Sequence, residues 1–230
     1  VSKTAAIENK LSVFLIGNTV KEENVDFYST PLRIFNQFVV GGVIVYGEKR
    51  AKEIASTVDG QVDYVFVDSE KKILDKNSVS TSAGNVQRAV SEVINQSVLI
   101  SYKANDLTVD AADQFISEYF SKDVSNLGGK RVSIIGAGNI GSKIASKLVE
   151  RGSDVSLYRR NAEILNQIVD YVNITKPIYT AARATAASSI VDSCYQADIL
   201  IGLTSGLEGI DEAAILNAKP NPLILDIGKG

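Results

Sequence analysis

Three glycines carry the clearest chemical signal in this chain. Residues 132–141 read VSIIGAGNIG, so Gly136, Gly138 and Gly141 form a G-x-G-x-x-G pattern. Alone, such a triplet is a weak signal, and its flanks give it meaning. An apolar strand pattern precedes it and an amphipathic helical pattern follows. Gly152 and a second apolar stretch, DVSLY, come next. In that setting Gly136 permits the tight turn, Gly138 lets backbone approach a pyrophosphate, and Gly141 lets helix and strand pack closely. The helix that opens at Asn139 and Ile140 then offers free N–H groups and the positive end of its dipole to phosphate. A glycine turn in a cofactor-free α/β domain is the alternative.

The end of the second strand selects the cofactor. An acidic residue about 20 positions beyond the glycines normally accepts the ribose hydroxyls of NAD. Here Tyr158-Arg159-Arg160 stands in that place. With no acid to repel a 2′-phosphate and two guanidiniums to pair with one, NADP is favoured and NAD is the second choice. Solvated surface arginines are the bland reading. Further along, ADILIGLTSG and LILDIGKG run off apolar strands into Thr204, Ser205 and Gly206, and into Gly228. In an open α/β sheet, ligands sit outside the carboxyl ends of the strands, so these turns are expected to line the nicotinamide side.

The chain has no histidine. Every mechanism that needs imidazole is therefore excluded, including hydrolysis by a Ser-His-Asp triad and dehydrogenation by a His–Asp pair. A lysine beside an aspartate can replace it, since desolvation lowers the lysine pKa and the carboxylate holds its geometry. These types meet at a strand end in Ser101-Tyr102-Lys103-Ala104-Asn105-Asp106. Lys103 and Asp106 are the candidate acid–base pair, and Asn105 can hydrogen-bond a substrate hydroxyl. A solvated turn before a helix is the competing reading. Cys194, the single cysteine, falls in a helical stretch away from these strand ends and reads as a buried, inert thiol.

Positioning such groups requires an ordered α/β frame. The 230 residues suit one large or two small domains, and 45% hydrophobic with 22% charged residues suits a soluble protein that buries a core. A net charge of −3 gives no general attraction to nucleic acid or anionic lipid. No apolar run is long enough to cross a membrane and no signal peptide is evident, so neither a membrane nor nucleic acid is expected as a partner. One cysteine excludes an intrachain disulfide or a cysteine-clustered metal site, and the expected setting is cytoplasmic. A homo-oligomer is compatible with all of this.

Strands are expected at residues 11–16, 43–46, 64–67, 98–100, 132–135, 155–157, 199–203 and 223–226. They are rich in Val, Ile and Leu without clean alternation, as strands buried on both faces of a parallel sheet are. Helical stripes lie between them. One contains Val86, Ala89, Val90, Val93 and Ile94. Another contains Val109, Ala112, Phe115, Ile116 and Tyr119, with Thr108 as the expected N-cap. A third, Ile140 to Val149, stops at Gly152 in a C′ position, and Asn161 caps a fourth. The alternation predicts an α/β protein of two domains. The polar segment SKDVSNLGGK sets the expected boundary, giving an amino-terminal α/β substrate domain over 1–122 and a Rossmann-type, doubly wound dinucleotide domain over 123–230. A doubly wound fold usually continues past a strand such as LILDIG, so further chain is expected beyond residue 230.

In its carboxyl half the chain resembles the shikimate dehydrogenase-like group of two-domain dehydrogenases. LGGKRVSIIGAGNIGSKIASKLVERG, YRRN, ADILIGLTSG and LILDIG fall in that group's order. Amino-terminal likenesses are fainter. FLIGNTV with STPLRIFNQF is similar to the opening glycine turn and the Ser-x-Ser-Pro…Asn segment, which implies that Ser29 and Thr30 hold a substrate carboxylate. ANDLTVDAADQF is similar to the Asn-Thr-Asp-Gly segment before the linker helix. Tyr28-Ser29-Thr30-Pro31 lacks the group's first serine, and KNSVSTSAGN lacks its loop lysine. GGVIVYGEKRAKEIA, VFVDSEKK and SAGNVQRAV also resemble methylene-tetrahydrofolate and methylene-tetrahydromethanopterin dehydrogenases, in which an aromatic such as Tyr28 or Tyr102 would face a pterin. The resemblance implies an NADP-dependent oxidoreductase acting on a small polar substrate in a cleft between domains. A dehydrogenase of the second kind and a nucleotide-binding protein without catalysis are the alternatives.

Overall fold

The computed structural model describes residues 1–19, 27–70, 85–204 and 209–228. The chain divides into two compact units, Val1–Ala104 and Asn105–Gly230. The first contains α1 (Ser2–Ile7), β1 (Leu11–Asn18), β2 (Phe27–Ser29), β3 (Arg33–Ile34), β4 (Phe38–Val45), α2 (Glu48–Val58), β5 (Tyr64–Asp68), α3 (Val86–Ser91) and β6 (Val98–Tyr102). The second contains α4 (Ala104–Tyr119), β7 (Arg131–Ile135), α5 (Asn139–Glu150), β8 (Asp154–Tyr158), α6 (Ala162–Thr175), β9 (Ala184–Ala186), α7 (Ile190–Ser193), β10 (Ile199–Gly202), α8 (Glu212–Asn217) and β11 (Leu223–Asp226).

In the first unit β4, β1, β5 and β6 run parallel in that order, and β2 and β3 pair antiparallel with the outer edge of β4. Ile16, Val43, Val45, Val65 and Val67 from the strands pack with Ala51, Ala55, Val86 and Val90 from α2 and α3. In the second unit all five strands are parallel in the order β11-β10-β7-β8-β9. The chain winds outward from β7 through β8 to β9, then returns to the other side of β7 as β10. The winding therefore reverses between β7 and β10, the place in an open α/β sheet where ligands bind outside the carboxyl ends of the strands.

Both faces of this second sheet are covered. α4, α5 and α6 deliver Val109, Ile116, Ile144, Leu148, Leu165 and Val172 to one face. Cys194 and Ala214 pack against Ile135 and Leu200 on the other. Two-sided burial explains the unbroken apolar reading of VSII and ILIG. All eight expected strands are present, and the doubly wound α/β class is the one observed. The additional strands β2, β3 and β9 are only two or three residues long. Pairing with a neighbour, rather than local pattern, defines strands that short.

Helix α4 departs from expectation in two ways. It starts at Ala104, so Thr108 lies in its second turn and is not an N-cap. Asp106 sits in the first turn, where an acid suits the positive end of the helix dipole. Its buried stripe is also narrower than expected. Val109, Ala112 and Ile116 are buried, while Phe115 and Tyr119 are half-exposed. The polar segment 121–130 is not a linker. Leu127 is buried in the core of the second unit and its carbonyl accepts from Ser153 Oγ at 2.7 Å. The division falls before α4, because that helix packs on the sheet that follows it.

Candidate functional site

The glycine turn lies at the carboxyl end of β7, on the side where the winding reverses. Gly136 has φ +104, which L side chains rarely adopt, and a Cβ there would stand 2.9 Å from the carbonyl carbon of Leu203, which follows β10. Gly141, in the first turn of α5, is held by space rather than angle. Its Cβ would lie 2.7 Å from the Gly136 carbonyl oxygen and 3.3 Å from both Ile134 and Leu203 side chains. Gly138 is different again. It is the extended N-cap of α5, and among the described residues nothing lies closer than 4.0 Å to the position of its Cβ. Among the three, Gly138 is the one whose missing side chain leaves open space. No side chain caps α5, so its first N–H groups, including those of Asn139 and Ile140, lack a partner from that source. Asn139 is exposed, and Ile140 packs partly against the core.

The end of β8 grips this turn. The Tyr158 carbonyl accepts from Gly136 N–H at 3.0 Å and from Ala137 N–H at 3.1 Å. Arg159 donates through Nη1 to the Ala137 carbonyl at 2.8 Å. Arg160 is exposed beside it. On the other flank, Leu203 N–H donates to Ile135 at 2.8 Å and brings Thr204 beside Gly136. Gly228, after β11, packs so closely on Thr204 that a Cβ would meet its carbonyl. Gly136, Gly138, Asn139, Gly141, Arg159 and Thr204 are thus brought to one edge of one sheet. Ser205 and Gly206 lie outside the described residues, as do residues 76–84.

The candidate acid–base residues are arranged differently. Lys103 is exposed directly after β6. Asp106 forms an ion pair with Lys143 of α5. This is one rung of a charge ladder between α4 and α5. Lys147 Nζ lies 3.2 Å from Asp110, and Arg151 binds Asp113 through two bonds of 2.8 and 2.7 Å. The Asp113 hydrogen bonds hold the Arg151 pKa above its ordinary value. The ladder was legible in principle, because Asp106, Asp110 and Asp113 share one helical face, as do Lys143, Lys147 and Arg151. Asn105 lies in the first turn of α4.

Ser29 is exposed on the short edge strand β2. Thr30 follows it, with its backbone N–H donating to Gly42 at 2.8 Å and its hydroxyl oxygen buried without a partner. Tyr28 is half-exposed, its ring 6.3 Å from that of Tyr46. Tyr102, at the end of β6, has its phenol pushed up to about 12 by burial, with the charges of Asp68 and Glu70 adding to the shift. Its Oη lies 3.8 Å from the position a Cβ would take on Gly17 of β1. Cys194 is fully buried, 3.4 Å from Ser133 Oγ, as an inert thiol would be. Among the described residues no cluster of acids or cysteine is arranged to hold a metal, and no helix is long and apolar enough to cross a membrane.

Known proteins are similar to this chain to different depths. Residues 118–229 match the family model for shikimate / quinate 5-dehydrogenase. A glutamyl-tRNA reductase from Flavobacterium psychrophilum is 25% identical over 182 residues, which cover 76% of this chain and 42% of that protein. The chain thus spans less than half the length of that relative. Two ornithine carbamoyltransferase structures share the fold alone. The anabolic enzyme from Campylobacter jejuni has a TM-score of 0.53 at 13% identity, over 100% of this chain and 80% of that one. The enzyme from Pyrococcus furiosus has a TM-score of 0.52 at 10% identity, over 100% and 79%. Fold, glycine turn and family model converge on the carboxyl-terminal unit, where residues 118–229 are similar to the shikimate / quinate 5-dehydrogenase family.

Proposed function

We propose that the protein is an NADP-dependent oxidoreductase whose carboxyl-terminal unit binds the dinucleotide at the turn Gly136–Gly141. The observation that carries this reading is the open space over Gly138, at the uncapped start of α5 and at the reversal of winding between β7 and β10. A pyrophosphate there would meet backbone N–H groups and a helix dipole, with no side chain on Gly138 in its way. The bound nicotinamide supplies or accepts a hydride. The chain's own residues must then seat the phosphates, orient the ring and handle the proton. Thr204, Ser205 and Gly228 belong to the nicotinamide end in this reading. The relative from Flavobacterium psychrophilum is a reductase, which agrees with hydride chemistry.

The preference for NADP over NAD rests on Arg159 and Arg160, which stand where an acid would select NAD. Titration of NADPH and NADH into the wild-type protein checks it. NADPH should bind about tenfold tighter or better, the scale of one charge-assisted hydrogen bond. Equal affinities, or tighter NADH, would contradict the preference.

For proton transfer we retain Lys103, exposed at the carboxyl end of the first sheet. Asp106 is committed to Lys143, so its part is to anchor α4 rather than to orient Lys103. Ser29, Thr30 and Asn105 are the proposed substrate contacts. Lys103→Ala should lower turnover by roughly 100-fold with cofactor affinity retained. Unchanged turnover would remove Lys103 from the mechanism. Detectable nucleotide binding without any turnover in the wild type would favour a protein that kept the cofactor site and lost catalysis.

A further inference from the structure

The Ala137–Gly138 peptide is held at every polar atom by groups that the cofactor does not supply. Its carbonyl accepts from Arg159 Nη1 at 2.8 Å, and its N–H, on Gly138, donates to Gly136 at 2.7 Å. The Ala137 N–H and its neighbour on Gly136 both donate to the Tyr158 carbonyl. Ala137 itself is fully buried. This peptide leads into Gly138, the N-cap of helix α5, so its orientation helps set the direction of the N–H groups that follow. Turned the other way, the Ala137 carbonyl would present its oxygen on the side where an anion must sit. An arginine 22 residues away in sequence, fixed to that oxygen, opposes the turn.

We infer that Arg159 is a positioning residue for the glycine turn, required for either nicotinamide dinucleotide, and that reading of the 2′-phosphate falls mainly to Arg160. The inference rests on the nucleotide reading above and divides two adjacent arginines that sequence alone treats as one pair. Arg159 is half-buried and bonded to backbone, and its role does not depend on what the ribose carries. Arg160 is exposed and lies one residue further along, past the strand end beside which the adenosine ribose sits in a dinucleotide fold of this kind. A guanidinium held on a carbonyl also keeps other N–H groups, so Arg159 can still add weakly to phosphate binding.

The test is fluorescence titration of NADPH and NADH into the full chain carrying Arg159→Ala, Arg159→Lys or Arg160→Ala, with thermal unfolding of each. Arg159→Ala should weaken both cofactors by a similar factor, about tenfold or more for one lost charge-assisted bond. Arg159→Lys, which keeps one cationic donor for the Ala137 carbonyl, should recover most of the NADH affinity. Arg160→Ala should weaken NADPH alone. Loss of NADPH affinity with NADH unchanged in Arg159→Ala would overturn the inference and make Arg159 a phosphate reader. The same selective loss in Arg159→Lys would do so even if the alanine variant failed to fold. A wild type that binds neither cofactor would overturn the nucleotide reading itself, and this inference with it.

Discussion

Gly136, Gly138 and Gly141 share one motif but answer to different constraints. Gly136 needs a positive φ, Gly141 needs the absence of a Cβ against the Gly136 carbonyl, and Gly138 needs neither for folding. Their substitutions should therefore separate. Gly141→Ala forces a methyl to within 2.7 Å of a backbone oxygen, so something in the β7–α5 contact must shift. A cost of about 1–3 kcal/mol, typical of overpacking, is expected and is measurable by urea unfolding. Unaltered stability would mean that the turn is looser than its geometry. Residue-scale reading of the sequence succeeded where a conformational rule applied. The glycine spacing, the Asn161 cap, whose side chain accepts from Ile164 N–H, and the C′ glycine Gly152 with φ +90 all follow from local backbone chemistry. It did not reach the partner of Asp106. Proximity in sequence suggested Lys103, whereas the structure supplies Lys143 from a helix 37 residues away. The link from Arg159 to Ala137 was equally out of view, because a main-chain acceptor leaves no mark on composition.

At the scale of elements, helix α4 is the instructive case. Its apolar period was legible over Val109, Ala112 and Ile116, but its polar face was not recognised as structural. Asp106, Asp110 and Asp113 pair with Lys143, Lys147 and Arg151, so charge and burial together fasten α4 to α5. The Asp106–Lys143 and Asp110–Lys147 rungs are exposed and contribute little, as surface pairs do. The Asp113–Arg151 pair is bidentate and its carboxylate is buried. Asp113→Ala should destabilise the second unit by about 2 kcal/mol, in the range for charge-assisted hydrogen bonds, since Arg151 is exposed enough to regain water. Chemical unfolding of the variant measures this, and a change within error would show the ladder to be decorative. The central strands β7 and β10 were legible because burial on both faces writes itself into the sequence as nearly uninterrupted Val, Ile and Leu. The two- and three-residue strands β2, β3 and β9 carry no such record.

At the scale of the whole molecule, the two α/β units follow one plan twice, each with a core of parallel strands wound in both directions from its first strand, to which the first unit adds the short antiparallel β2 and β3. Their number was legible from the alternation of strands and helices. Their border was not, because the segment SKDVSNLGGK has a linker's composition while Leu127 within it is a core residue. Of the two units, the second carries the interpretable site, and everything proposed about activity depends on a dinucleotide binding at its glycine turn. Gly138 allows that dependence to be tested cleanly. Its backbone is extended, with φ −99, and the Cβ of a valine there would have no atom of the described residues closer than 4.0 Å. Titration of NADPH into Gly138→Val, beside the wild type and with thermal unfolding of both, is the direct measurement. The account predicts saturable binding to the wild type, its loss in the variant by roughly 100-fold or more, about 3 kcal/mol at tenfold per 1.4, and the same unfolding temperature for the two proteins. Equal binding to both proteins, or binding to neither, would contradict it.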